Sequence, residues 1–255
     1  CEQIIIVDGI PGSGKTMLSP IIASLDRVEI ANYAFEIEYV CRLYALGNMT
    51  IEATVAYIRM LVDNRLYTNM MSRDVNFRYS DLSSVFNTPN RFRYFKRAFA
   101  PGDLSILDAI AKEKPILNLT THDLFKVSAP VFEALHSRLT FINVVRHPAF
   151  VVIQQLLNLE RLLNSPRDIQ IYFDYQGFEL PYFAAGWEEL FLASNNIDRV
   201  ILTIWYQEKV RKELVEENKF ADHGNYIEVP FEKFVKNPSP YLESILEVTK
   251  TKRSP

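Results

Sequence analysis

An α/β fold built on a parallel sheet follows from three features of this 255-residue sequence. Short apolar runs alternate with helical patterns along the chain, as in successive strand–helix units. The first such run, Ile4, Ile5 and Ile6, leads directly into the glycine-containing stretch "VDGIPGSGKTM" and then into a helical pattern. Glycines between a buried strand and a helix N-terminus are the arrangement that lets backbone amides converge on phosphate oxygens. The composition, 48% hydrophobic and 23% charged, is that of a globular chain and too apolar for a disordered one. These features predict a P-loop three-layer fold: a central parallel sheet of about five strands flanked by helices, in one domain spanning 1–255, with a helical insertion at about 33–99.

Taken in order, the strands are expected at 4–7, 27–30, 116–121, 141–145 and 226–229, where β-branched and aromatic residues cluster. Between the second and third lies a long helical region. Ile51, Val55, Ile58 and Leu61 recur at helical spacing behind Thr50, an N-cap, and Gly47 stops the helix before it. Residues 76–99 then interleave Arg78, Arg91, Arg93, Lys96 and Arg97 with Phe77, Tyr79, Phe92, Tyr94, Phe95 and Phe99. Such interleaving suits stacking on single-stranded nucleic acid, or an acceptor pocket for anionic or aromatic substrates. At helical spacing the expectation is plainer: the aromatics pack inward and the charges face water. Near the end, Asn237, Pro238, Ser239 and Pro240 read as a turn before a last helix.

A formal charge of -3 argues against a general polyanion binder, so no nucleic-acid partner is expected. With only Cys1 and Cys41 there is no disulfide framework, which favours a reducing, cytoplasmic setting. No apolar run approaches the roughly 20 residues that span a bilayer, and no membrane segment is expected.

Within the loop, Gly9, Gly14, Lys15 and Thr16 fit the G-x-x-x-x-G-K-[ST] pattern between a strand and a helix. The pattern selects phosphate, not one nucleotide. A magnesium-dependent kinase would use Thr16 on the metal and add an acidic residue at the end of a second strand. Asp8 belongs to the first strand itself, and Asp123 could equally cap the helix that follows. The strand at 141–145 instead runs into Arg146, His147 and Pro148, a cation where a metal ligand was wanted.

At "FINVVRHPAFVV" the sequence resembles the sulfotransferase family, in which an Arg-x-Pro follows an apolar strand. "PILNLTTHDLFKVSAPVFEAL" resembles the family's strand ending in Thr-His, "YIEVPFEKFVKNPSPYLESI" its late strand, and "GWEEL", with Trp187, the tryptophan segment between them. The resemblance implies transfer of a sulfuryl group from 3′-phosphoadenosine 5′-phosphosulfate (PAPS) to a hydroxyl or amine of a small-molecule or glycan-type acceptor, with no metal. It carries the donor-binding role to Pro11, Ser13, Gly14 and Thr16, in a loop that Gly12 and Lys15 complete, and the 3′-phosphate role to Arg146, with Gln154 standing where the family commonly has Ser. Lys15 and His122 take the catalytic roles, one stabilising leaving-group charge and the other acting as base.

In and beside the glycine loop the chain also departs from the family pattern, and the family's C-terminal basic, glycine-containing nucleotide loop has no evident match. Gly12 replaces a usual basic residue, Lys15 a small hydroxyl residue, and Met17 an adenine-stacking tryptophan. Two rivals stay open beside the sulfotransferase: an ATP- and magnesium-dependent kinase of small molecules or nucleotides, and a non-catalytic nucleotide-binding protein. Of the other histidines, His147 is the variable residue of Arg-x-Pro, while His136 and His223 read as surface residues.

Overall fold

A computed structural model of the chain describes residues 1–81, 83–102, 104–165, 170–217 and 224–253. The expected layers are present. Strand β1 (Gln3–Asp8) leads through the glycine turn into α1 (Lys15–Ala23), and a short β2 (Asn32–Tyr33) precedes α2 (Phe35–Ala45) and α3 (Ile51–Met70). Helices α4 (Arg91–Ala98) and α5 (Leu104–Glu113) lead to β3 (Ile116–Thr120), followed by α6 (Ala129–Leu135), β4 (Leu139–Val145) and α7 (Val152–Leu163). A hairpin of β5 (Tyr172–Tyr175) and β6 (Phe178–Pro181) comes next, then α8 (Glu188–Ala193) and α9 (Asn196–Glu216). The chain continues through β7 (Asn225–Pro230), α10 (Phe231–Lys236) and α11 (Ser239–Thr249).

Five strands form the main sheet in the order β2-β3-β1-β4-β7, each pair parallel. Its central strand explains its own composition. Because side chains alternate between faces, Ile4 and Ile6 enter one core with Ile37, Ile58, Leu66 and Phe132, while Ile5 and Val7 enter a second with Leu18, Ile22, Phe234 and Ile245. A strand covered by helices on both faces must be apolar at every position, hence the unbroken isoleucine run. Helix α3 starts as the sequence indicates, with Thr50 Oγ1 accepting from the amide of Ala53 at 3.2 Å.

Two expectations are corrected. The second strand does not occupy 27–30: there only Val28 bridges to Ile116, and the regular pairing is Asn32 with Leu119 and Tyr33 with Thr120. Arg27 stands at φ 63, outside the strand region, with its guanidinium on the carbonyls of Lys114 and Lys250. The hairpin β5–β6 was not anticipated, although Gln176 and Gly177, both at positive φ, are the turn signal that makes it.

The second correction concerns 76–99. Among its described residues only 91–98 is α-helical, and the burial is mixed: Arg78, Arg91 and Lys96 face solvent as expected, but Tyr79, Phe92 and Phe99 are 79%, 71% and 89% exposed, while two arginines turn inward. The cause is Glu29, a fully buried carboxylate. Arg97 donates to it at 2.8 Å and bridges on to Glu113 at 3.0 Å, and Arg93 approaches its other oxygen at 3.7 Å. Tyr94 alone among the aromatics is completely buried, its hydroxyl accepting from the Ile30 amide at 2.7 Å. A buried charge must be paired, and that requirement outranks the hydrophobic pattern of a short helix. Glu29→Ala is therefore expected to lower unfolding free energy by about 3 kcal/mol, by stranding the Arg93 and Arg97 charges. Urea denaturation measures it, and a loss below about 0.5 kcal/mol would show the pairing to be incidental.

Candidate functional site

The site forms at the carboxyl ends of β1, β3 and β4, where parallel strands in an open sheet present their loops. The glycine turn comes first. Gly9, Gly12 and Gly14 lie at φ 153, 90 and 102, and a side chain at Gly9 or Gly14 would also collide with its surroundings. A Cβ on Gly9 would sit 2.6 Å from the Val144 carbonyl, and one on Gly14 would sit 2.1 Å from the Phe231 ring. The turn is thus gripped between β4 and the start of α10. Gly14 is the N-cap of α1 and brings no capping side chain, so the positive end of the helix dipole is left uncapped by side chains. Ser13 is buried and its Oγ has no hydrogen-bond partner among the described residues. An uncapped helix start beside an orphaned hydroxyl fits an anionic group such as a phosphate.

Lys15 lies 4% exposed, its Nζ 3.4 Å from the Ile10 carbonyl. Burial lowers its pKa from 10.5 to about 8, against the opposing pull of the Asp8, Glu38 and Asp123 carboxylates. Thr16 is exposed on the next position. Asp8 is committed elsewhere. It accepts from Thr121 Oγ1 at 2.8 Å and from the amides of Leu124 and Phe125 at 3.1 and 2.9 Å, and burial raises its pKa. Asp123 accepts from the Tyr182 hydroxyl at 2.8 Å and pairs with Lys126 at 3.1 Å.

Arg146 extends from the end of β4 toward the turn. Its Nη1 donates to the Gly12 carbonyl at 2.8 Å, its guanidinium lies 4.7 Å from the Phe231 ring centre, and its Nε stands 3.8 Å from Glu232 without a hydrogen bond. The cation therefore faces the glycine turn. Gln154 also reaches the turn, but with its stem: a Cβ on Gly12 would lie 3.0 Å from Gln154 Cγ, while the amide bonds Asn158 at 3.1 Å. The neighbouring Gln155 makes the polar contact, donating to the Pro11 carbonyl at 2.7 Å.

His122 follows β3 and lines, with Pro11, a cleft of about 530 Å³. Tyr33, Phe35 and Tyr39 form an aromatic wall there, and Arg42 and Arg161 also border the space. The imidazole stacks on Tyr33 and Phe35, both at 5.6 Å between ring centres, and Nδ1 lies 3.1 Å from Glu38. The structure thus places Pro11, Gly12, Ser13, Gly14, Lys15, Thr16 and Arg146 around one turn, with His122 beside it. Trp187 is apart from this group: it packs on Phe191 and Tyr206 and bonds the Phe183 carbonyl at 2.8 Å. His147 caps a short turn by accepting from Ala149 at 3.3 Å, His136 is exposed, and His223 lies outside the described residues.

Sequence reasoning missed Glu38, Arg42, Tyr182 and Gln155. The first two carried a signal, an acid and a base four apart in an otherwise apolar stretch of α2, "IEYVCR".

Burial of the Lys15 ammonium makes stability depend on pH. Below pH 8 folded and unfolded chains both carry the proton and the burial penalty is fully felt. Between pH 8 and 10.5 the unfolded chain binds more protons, so stability rises with pH. Lys15→Met removes this dependence. Its stability advantage over the parent is expected to shrink by about 1.4 kcal/mol per pH unit across that window, and a constant difference in denaturant titrations would contradict the burial argument.

No protein-family model and no curated protein matches the chain. Among solved structures it is similar to the sulfotransferase domain from the Synechococcus PCC 7002 olefin synthase, with 15% sequence identity and a TM-score of 0.44, over 97% of this chain and 73% of that one.

Proposed function

We propose that the protein is a sulfotransferase, moving a sulfuryl group from PAPS to a hydroxyl or amine of an acceptor in the cleft between Pro11 and His122. The observation that carries this reading is Arg146: a cation at the end of β4 that faces the glycine turn, where it can meet a second anionic group of the same nucleotide. Bound there, PAPS would supply the sulfuryl group and leave as adenosine 3′,5′-bisphosphate.

The chain's own residues divide the work. The turn from Pro11 to Thr16 and the start of α1 hold the phosphosulfate, and Arg146 holds the 3′-phosphate, with Gln154 alongside. Lys15, charged at neutral pH yet with its pKa pulled down to about 8, stabilises negative charge on the departing oxygen and can donate a proton to it. His122 takes the acceptor's proton. The aromatic wall of Tyr33, Phe35 and Tyr39 shapes the acceptor side, contributed by the helical segment at about 33–99 within a single domain.

The kinase alternative draws on Lys15 and Thr16, but asks for an acidic metal partner. Asp8 takes three donors and its pKa is raised, which makes it a poor one.

Thermal-shift titration with adenosine 3′,5′-bisphosphate and with ATP, each with and without magnesium, separates the readings. Stabilisation by the bisphosphate without metal is expected, followed by turnover with PAPS. Magnesium-dependent stabilisation by ATP alone would establish the kinase, and bisphosphate binding without turnover a non-catalytic binder. Arg146→Ala is expected to weaken the bisphosphate by about ten- to a hundredfold, corresponding to about 1.5–3 kcal/mol for a charge-assisted bond, while leaving adenosine 5′-phosphosulfate nearly unaffected. Equal weakening of both ligands would remove Arg146 from the 3′-phosphate.

A further inference from the structure

We propose that Glu38, held by Arg42, is the positioning residue that fixes His122 in its Nδ1–H tautomer and so leaves Nε2 as the proton acceptor in the cleft. The catalytic half of this inference rests on the reading of that cleft as the acceptor site; the tautomer half does not.

The donors around Glu38 settle its orientation. Its Oε1 receives the His122 backbone amide at 2.8 Å and lies 3.1 Å from His122 Nδ1, while Oε2 receives Arg42 Nη2 at 2.9 Å. An ionised carboxylate can only accept, so the ring nitrogen facing it must carry the hydrogen, and in a neutral imidazole the other nitrogen is then bare. The same Arg42 nitrogen also donates to the His122 carbonyl at 2.9 Å. Residue 122 is thereby gripped at its amide, its carbonyl and its ring by one ion pair, and its ring is further held by the stacking of Tyr33 and Phe35.

The location of the pair argues for the same role. The Glu38 and Arg42 side chains are only 2% and 4% exposed, on a helix whose neighbouring positions Ile37 and Cys41 are fully buried apolar residues. Desolvating two charges offsets most of their attraction, and apolar residues of similar size fill such positions at least as well. Fold stability alone does not call for an ion pair here. Orientation of an imidazole beside a ligand cleft does, as a second layer of hydrogen bonds does for any reactive group.

Nitrogen-15 NMR on histidine-labelled protein tests the tautomer without any turnover. With His122→Gln to assign the signal, and at a pH where the ring is neutral, His122 is expected to show a protonated Nδ1 and a bare Nε2; the reverse pattern would overturn the proposal. Kinetics test the consequence. Glu38→Gln sets one N–H against another, since a carboxamide cannot accept from Arg42, the amide and the ring at once. If that variant folds poorly, Glu38→Gln with Arg42→Met removes both charges together. In either, kcat is expected to fall on the order of a hundredfold or more, with KM for PAPS unchanged because the glycine turn is untouched. Unchanged kcat, where His122→Gln abolishes turnover, defeats the positioning role alone. Full turnover in His122→Gln defeats the base assignment on which that role depends.

Discussion

The carboxylate of Asp8 joins the two halves of the site. It ends the central strand, yet its oxygens are spent on the loop after β3, taking the Thr121 hydroxyl and the amides of Leu124 and Phe125. Backbone donors buried at a strand end need acceptors, and a single side chain supplies them. The loop that carries His122 is thereby tied to the residue immediately before the glycine turn. Lys15, on the far side of that turn, feels the same carboxylate. One buried acid thus sets the spacing between the anion-binding turn and the imidazole.

Similar logic recurs at the sheet's margin. Glu29 and Glu38 are both buried acids, and each draws arginine inward: Arg93 and Arg97 in one case, Arg42 in the other. The first pair fastens α4 to the edge of the sheet and leaves Phe92 and Phe99 facing solvent. The second reaches the cleft. Pairing buried charge overrides the pattern that amphipathic spacing would impose, since an unpaired charge in the interior costs more than an exposed phenylalanine forgoes.

The central strand, the glycine turn, the N-cap at Thr50 and the third, fourth and seventh strands were legible because each depends on residues adjacent in sequence. An isoleucine run can only be a doubly covered strand once a helix-starting turn follows it, and Thr50 caps its helix with atoms three residues away. What was not legible depends on partners far along the chain. Arg93 and Arg97 look like solvent-facing charges until Glu29 is found opposite them, and Gln155 looks interchangeable with Gln154 until α7 is docked on the turn. Likewise the break at 27–30 arises from Arg27 reaching Lys114 and Lys250. His122 and Arg146 were singled out by the family resemblance together with their places after expected strands, whereas the Glu38 and Arg42 grip on His122 required the fold.

The register of the sheet also governs the order in which the molecule can assemble. Ile4 lies between Leu117 and Leu139, so the most apolar strand is synthesised well before either of the neighbours that pair with it. Such distant pairing slows folding, because chain entropy is lost before the contacts that reward it can form. In the interval the isoleucine run is an unshielded, aggregation-prone segment. The helices made soon after it, α1 and α3, supply side chains to the two cores that flank it. The nascent strand can therefore be sheltered on both faces before either of its edges is closed.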